Sequence, residues 1–238
     1  MPLFQLSSRI SFPPPEFAEK NGLLALGGDL GRERLLLAYA SGIFPWYDEG
    51  EPVLWWSPDP RFVLFPKKIH VAKSLAKFMK KDPFHLSMDR DFPGVISACA
   101  GIRRKREKGT WILPEMIDAY EDLHEAGYAH SLEVWDESGN LCGGLYGVSL
   151  GKAFFGESMF SRLPNASRVA LVALARQLDL WQFDFIDCQM KTEHLASMGA
   201  TGIRRSDFLE GLEKSLVYPT KTGPWSLDFS HPSRFLHP

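Results

Sequence analysis

Hydrophobic and polar positions change rhythm about a quarter of the way along the chain. Pro13, Pro14, Pro15, Gly27, Gly28, Gly42, Pro45, Gly50, Pro52, Pro58 and Pro60 punctuate the early part, so only short elements fit there. The exception is a helix over Arg32–Ala40, with Asp29 as its candidate N-cap. Longer periodic stretches begin near Val63, which places a boundary at about 59–65, with the Pro-rich approach to it as a hinge. Residues 1–62 then form a small N-terminal α/β domain and 63–238 a larger one. In the larger part, MIDAYEDLHEAG reads as a helix closed by Gly127, and HSLEVWD alternates as a strand. Gly139-Asn140 makes a turn, and LCGGLYGVSL with GKAFFGESMF forms a hairpin around Leu150–Lys152. NASRVALVALARQLDLW is an amphipathic helix capped by Asn165 or Ser167, followed by a strand over residues 183–190. Antiparallel strands followed by a strand–helix–strand crossover, right-handed and parallel, predict an α+β fold with a mixed sheet.

A chain of 238 residues that is 45% hydrophobic and 24% charged is an ordinary globular composition, which excludes whole-chain disorder. The longest apolar runs, such as Val169–Leu174, fall far short of the ~18 residues that span a bilayer, so no membrane segment is expected. The N-terminus has no basic flank before an apolar stretch, which predicts a cytoplasmic protein without a signal peptide. Cys99, Cys142 and Cys188 are odd in number and widely spaced, with no CxxC and no Cys/His cluster. Neither a disulfide framework nor a metal site is expected.

Charge is unevenly distributed. Between Pro66 and Lys108 twelve Lys or Arg face four acids, a local excess of +8 that leaves −10 elsewhere. Lys73, Lys77, Lys80 and Lys81 recur at helical spacing, with Val71, Leu75 and Phe78 free to turn inward. Such a stripe is either a solvated face or a track for a polyanion such as nucleic acid, and RRKREK at 103–108 adds a second basic cluster.

Strand alternation puts Asp187 and Gln189 on one face and Cys188 on the other. Two polar side chains in an apolar strand mark either a solvent-facing edge or a site. The crossover brings Glu157 of GESM near them, which favours a site. Trp46, Trp55, Trp56 and Trp111 lie in Gly- and Pro-rich contexts. Trp55 and Trp56 suit a small core, whereas Trp46 and Trp111 suit stacking on a ligand ring. No GxSxG, HExxH or GxxxxGK[ST] occurs, so serine hydrolase, zincin and P-loop readings lack their motifs. The histidines are scattered, and His124 and His130 read as structural.

NGLLALGGDL, GIFPWY, LWWSPDPR, GTWI, HSLEVW, GESMFSR, NAS and IDCQ, in that order, resemble the signature blocks of the leucyl/phenylalanyl-tRNA–protein transferase family. The resemblance runs from Gln5 to about Phe208 and leaves the last thirty residues without a pattern. It implies a small N-terminal domain followed by a GNAT-like acyltransferase domain. It also implies transfer of Leu or Phe, and Met less well, from Leu-tRNA and Phe-tRNA to proteins beginning with Arg or Lys, marking them for N-end rule degradation. No cofactor is implied. Asp187 and Gln189 become the catalytic pair, with Gln189 orienting the amine and Asp187 polarising or fixing it. Glu157 holds the amine or the aminoacyl end, and Leu145, Phe154, Leu174, Leu178 and Ile186 form the side-chain pocket. The lysine stripe then meets the acceptor stem. A CoA-dependent N-acetyltransferase shares the fold, but the connection SRLPNAS lacks the glycines that cradle a pyrophosphate. A non-catalytic tRNA-binding module would have no use for Glu157, Asp187 and Gln189.

Overall fold

A computed structural model describes residues 3–101 and 112–236. Trp111 and the basic cluster at 103–108 lie outside the described residues. The chain opens with strands β1 (Phe4–Leu6) and β2 (Leu23–Gly27), helix α1 (Arg32–Ala40), and strands β3 (Phe44–Pro45) and β4 (Leu54–Trp56). These strands form a four-stranded sheet in the order β1-β2-β4-β3. Gly31, not Asp29, is the N-cap residue of α1, but Asp29 Oδ1 still accepts the Gly31 N–H at 2.9 Å and its other oxygen pairs with buried Arg34. Trp55 is fully buried and its Nε1–H donates to the Gly27 carbonyl, so it is core.

Next come β5 (Arg61–Leu64), α2 (Lys73–Met79), β6 (His85–Met88), α3 (Phe92–Ala100), α4 (Pro114–Glu125), β7 (Ala129–Trp135), β8 (Leu141–Leu150) and β9 (Ala153–Ser161). The chain closes with α5 (Ala166–Leu180), β10 (Phe185–Asp187), α6 (Glu193–Ser197), β11 (Thr201–Ile203) and α7 (Arg205–Leu216). Seven strands make a mixed sheet in the order β11-β5-β10-β9-β8-β7-β6. The fold is therefore α+β with a small N-terminal sheet and a larger mixed sheet, and β9 and β10 run parallel around α5 as the pattern implied.

Helix α5 is apolar on nearly every side, from Val169 through Leu178, because it packs into one face of the large sheet. Asn165 stands at its N-cap in the left-handed region (φ 69°) without a side-chain cap bond, and Ser167 lies inside the helix. Ser161 Oγ instead accepts the Ser167 N–H at 3.2 Å. The opposite face of the sheet shares one continuous core with the N-terminal residues: Leu35, Tyr39 and Trp55 pack in the same cluster as Phe92, Tyr120, Tyr146 and Phe155. Helix α2 is shorter than the lysine spacing suggests. It ends at Met79 with Lys80 as C-cap, and Lys81 lies beyond it. Leu75 and Met79 turn inward while Lys73, Lys77, Lys80 and Lys81 are exposed.

The chain after α7 is not an appendage. Trp225 is buried, stacks on His130 at 3.7 Å and donates its backbone N–H to Asp89.

Candidate active site

The site forms where two parallel strands part. β9 and β10 pair only from Ala153–Phe185 to Phe155–Asp187, and β9 then continues to Ser161 without β10, still paired with β8. β10 stops at Asp187, short of the 183–190 strand the pattern predicts, and it is an interior strand between β5 and β9. Beyond it Cys188 donates its N–H to Phe62 O and Phe62 donates back to Gln189 O, so the chain stays with β5 and leaves β9. Gln189 makes this departure at φ 54°, a left-handed backbone that is uncommon outside glycine. Simple alternation therefore does not orient Gln189; a turn does, and Asp187 Oδ1 accepts the Gln189 N–H at 3.0 Å to hold it.

Glu157 is aimed by a second irregularity. Tyr146 pairs with Ser158 and Gly147 with Gly156, so Glu157 is the extra residue of a β-bulge in β9. Gly147 suits the crowding there, since a Cβ would lie 2.2 Å from Phe155 O. Turned out of the ladder, the Glu157 carboxylate accepts from Tyr120 Oη at Oε2 (2.9 Å) and from Gln189 Nε2 at Oε1 (3.4 Å). Burial pushes its pKa up to about 7, against the lowering effect of the Tyr120 and Tyr39 hydroxyls.

Asp187 is otherwise engaged. Its carboxylate takes a bidentate bond from Arg61, Nε to Oδ1 at 2.8 Å and Nη2 to Oδ2 at 2.6 Å, with both side chains fully buried. The guanidinium lies between the rings of Phe44 and Phe208, 4.8 and 4.6 Å from their centroids, and Nη1 donates to Gly42 O. A buried carboxylate so paired is a fixed strut rather than a base open to substrate.

A cavity of about 340 Å³ runs into the gap between the strands. Glu157 and Gln189 lie in its wall beside Trp46, while Leu145, Phe154, Leu174 and Ile186 supply apolar lining. Asp187 and Leu178 do not line it; Leu178 is fully buried on α5. Trp46 is half-buried and leans on Trp56, whose Nε1–H donates to Trp46 O. Lys73, Lys77, Lys80 and Lys81 are not in this wall.

Sequence reasoning missed three contributors. Arg61 had a readable signal, a charge opening the otherwise apolar strand RFVL. Tyr39 and Tyr120 had none, since an apolar helix face accepts tyrosine as readily as phenylalanine. Among the described residues no cluster of His, Cys, Asp and Glu could hold a metal, and no helix is long and apolar enough to cross a membrane. All three cysteines are buried, and no disulfide joins any of them among the described residues.

The sequence profile of the leucyl/phenylalanyl-tRNA protein transferase family matches residues 63–213, and that of the family's N-terminal domain matches 28–59. Proteins named leucyl/phenylalanyl-tRNA–protein transferase include one from Desulfatibacillum aliphaticivorans, 54% identical over 96% of this chain and 97% of its own. Another, from Legionella pneumophila strain Corby, is 55% identical over 93% of this chain and 98% of its own. Among solved structures, L-PGS from Bacillus licheniformis matches at TM-score 0.39 and 14% identity, over 80% of this chain and 65% of that one, too distant a likeness to bear on the site. With both profiles in order along the chain and relatives more than half identical over nearly all of it, the chain belongs to the leucyl/phenylalanyl-tRNA–protein transferase family.

Proposed function

We propose that the protein transfers Leu or Phe, and Met less well, from aminoacyl-tRNA to the N-terminal amine of cytoplasmic proteins beginning with Arg or Lys, marking them for N-end rule degradation. The observation that carries this reading is a largely apolar cavity whose polar groups include a carboxylate and a primary amide side by side, Glu157 and Gln189. The aminoacyl side chain fills the apolar part, against Leu145, Phe154, Leu174 and Ile186, and its ester carbonyl then lies beside the polar pair. Trp46 gives the terminal adenosine a stacking surface, and Lys73, Lys77, Lys80 and Lys81 meet phosphates of the acceptor stem.

The 3.4 Å bond between Gln189 and Glu157 is long for a charge-assisted hydrogen bond and yields easily to an amine. The incoming nitrogen donates to the Gln189 carbonyl oxygen and to Glu157 Oε1. It attacks the ester carbonyl, Glu157 takes the proton it loses, the C–O bond to the ribose breaks, and that proton passes to the leaving ribose oxygen. No covalent enzyme intermediate is needed, because an ester is already reactive toward amines and positioning supplies much of the acceleration. Asp187 acts through Gln189 and Arg61 and is a positioning residue.

A CoA-dependent acetyltransferase is disfavoured by the start of α5. There Ser161 Oγ and Leu163 O already occupy the Ser167 and Ala166 amides that a pyrophosphate would need. Incubation with labelled Leu-tRNA and a peptide beginning with Arg should give leucylated peptide, and acetyl-CoA should give no product. Acetylation without leucylation would overturn the reading.

A further inference from the structure

Behind Glu157, on the side away from the cavity, two tyrosines meet. Tyr39 on α1 and Tyr120 on α4 are both fully buried, and their hydroxyl oxygens are in direct hydrogen-bond contact. Tyr120 spends its one proton on Glu157 Oε2, so Tyr39 must be the donor to Tyr120, and the chain runs Tyr39 to Tyr120 to carboxylate. The rings are held from the sides: Tyr39 lies 5.0 Å from Phe155, and Tyr120 meets Tyr146 edge-on at 5.6 Å. Two phenylalanines would fill this space without burying hydroxyls that require partners, so packing alone does not account for the pair.

We propose that Tyr39 and Tyr120 are positioning residues for the transfer reaction, a hydroxyl chain that reaches from the N-terminal helix through α4 to fix Glu157 Oε2 and present Oε1 to the acceptor amine. This rests on the role given to Glu157 in the proposed function. Among the described residues Oε2 is fixed from behind and Oε1 meets the long bond from Gln189, so the two carboxylate oxygens have different tasks. The other ionisable groups that act on Glu157 are Asp187 on β10, Arg61 on β5 and Tyr146 on β8. Arg61 and Asp187 are committed to each other, which leaves the tyrosine pair as the partner specific to Glu157. The two hydroxyls stabilise the ionised carboxylate against the burial that opposes it.

The test begins on the free protein, so that it does not depend on the identity of the substrate. Carboxyl-¹³C glutamate is incorporated, the Glu157 resonance is assigned with Glu157→Gln, and its titration is followed in wild type, Tyr120→Phe, Tyr39→Phe and the double variant. The midpoint near 7 in wild type should rise by about one pH unit in Tyr120→Phe and by less in Tyr39→Phe. The double variant should rise further than either single variant, because each hydroxyl lowers the carboxylate's pKa on its own account. The acid limb of the pH–kcat profile for leucyl transfer should move with these midpoints while KM for Leu-tRNA holds. A folding defect lowers activity at every pH without moving the limb, and melting curves identify it. Unchanged midpoints in Tyr120→Phe would overturn the inference even if wild type transfers leucine. Shifted midpoints in a protein that does not accept Leu-tRNA would overturn the proposed function instead.

Discussion

Replacing Asp187 by Asn tests whether this residue is a strut or a base. The substitution keeps the shape of the side chain, and its amide oxygen can still accept the Gln189 N–H now held at 3.0 Å. What it removes is the charge opposite Arg61, whose guanidinium is fully buried between Phe44 and Phe208. Breaking one side of a buried ion pair leaves the other charge uncompensated and costs about 3–5 kcal/mol. For a chain of this length each kcal/mol moves the melting midpoint by about 2–4 °C, so Asp187→Asn should melt roughly 6–20 °C below wild type. Gln189→Ala removes a half-exposed side chain with one long bond; it should lower kcat more than tenfold while melting within about 2 °C of wild type. Removing both charges, as in Arg61→Met with Asp187→Leu, should be milder than Asp187→Asn alone, because two apolar groups leave nothing unpaired. Circular dichroism melts, with urea unfolding to check that the slope m is unchanged, decide the matter. An Asp187→Asn variant that melts with wild type and loses only kcat would refute the strut and restore a direct role in proton transfer.

Glu157 is protonated more readily in the folded chain, near pH 7, than at its ordinary value of 4.5, so folded protein binds the extra proton between these pH values. Stability from this group is therefore full below about pH 4.5 and falls by about 3 kcal/mol as pH rises through 7; Glu157→Gln should flatten that slope in urea unfolding measured at several pH values. Leu145 lines the cavity and is nearly fully buried, so Leu145→Trp should penalise Phe-tRNA over Leu-tRNA by about 1–3 kcal/mol in kcat/KM; equal losses would place it outside the side-chain pocket. Replacing Lys77 and Lys80 by Ala should weaken Leu-tRNA and Phe-tRNA equally and reduce the slope of log affinity against log salt by roughly 0.7–0.9 per lost phosphate contact; an unchanged slope makes α2 a solvated face.

Local signals were readable where they were periodic. The helix at Arg32–Ala40, the strands of the 141–161 hairpin and the apolar helix before β10 follow from spacing and turn residues within each segment. The site was legible as a cluster but not as a geometry. Glu157 reaches Gln189 because a bulge opens β9 and because Gln189 adopts a positive φ, and neither event has a composition signature like that of glycine. The Arg61–Asp187 pair joins residues 126 apart in sequence through the antiparallel register of β5 and β10, which periodicity cannot supply. The tail lacks any repeating pattern, yet Trp225 completes a buried stack, since one well-placed aromatic needs no periodic context.

The arrangement of charge bears on the competition every aminoacyl transfer faces, because water attacks the same ester as the amine. Arg61 and Asp187 cancel each other inside the core, so Glu157 remains the negative group in the cavity wall. A cationic ammonium is drawn to such a carboxylate, and water gains no comparable attraction. The ammonium gives its first proton to solvent; a carboxylate of ordinary low pKa would then be too weak a base for the proton the amine loses on attack, and a permanently neutral one would not attract the ammonium at all. Burial raises Glu157 toward the operating pH, while the Tyr120 hydroxyl keeps its ionised form accessible. Apolar walls at Leu145, Phe154 and Leu174 exclude bulk water from the ester once the amino-acid side chain is seated. On the proposed reading, preference for an amine over water therefore follows from one titratable carboxylate in an otherwise neutral, largely apolar cavity, without a covalent intermediate to protect.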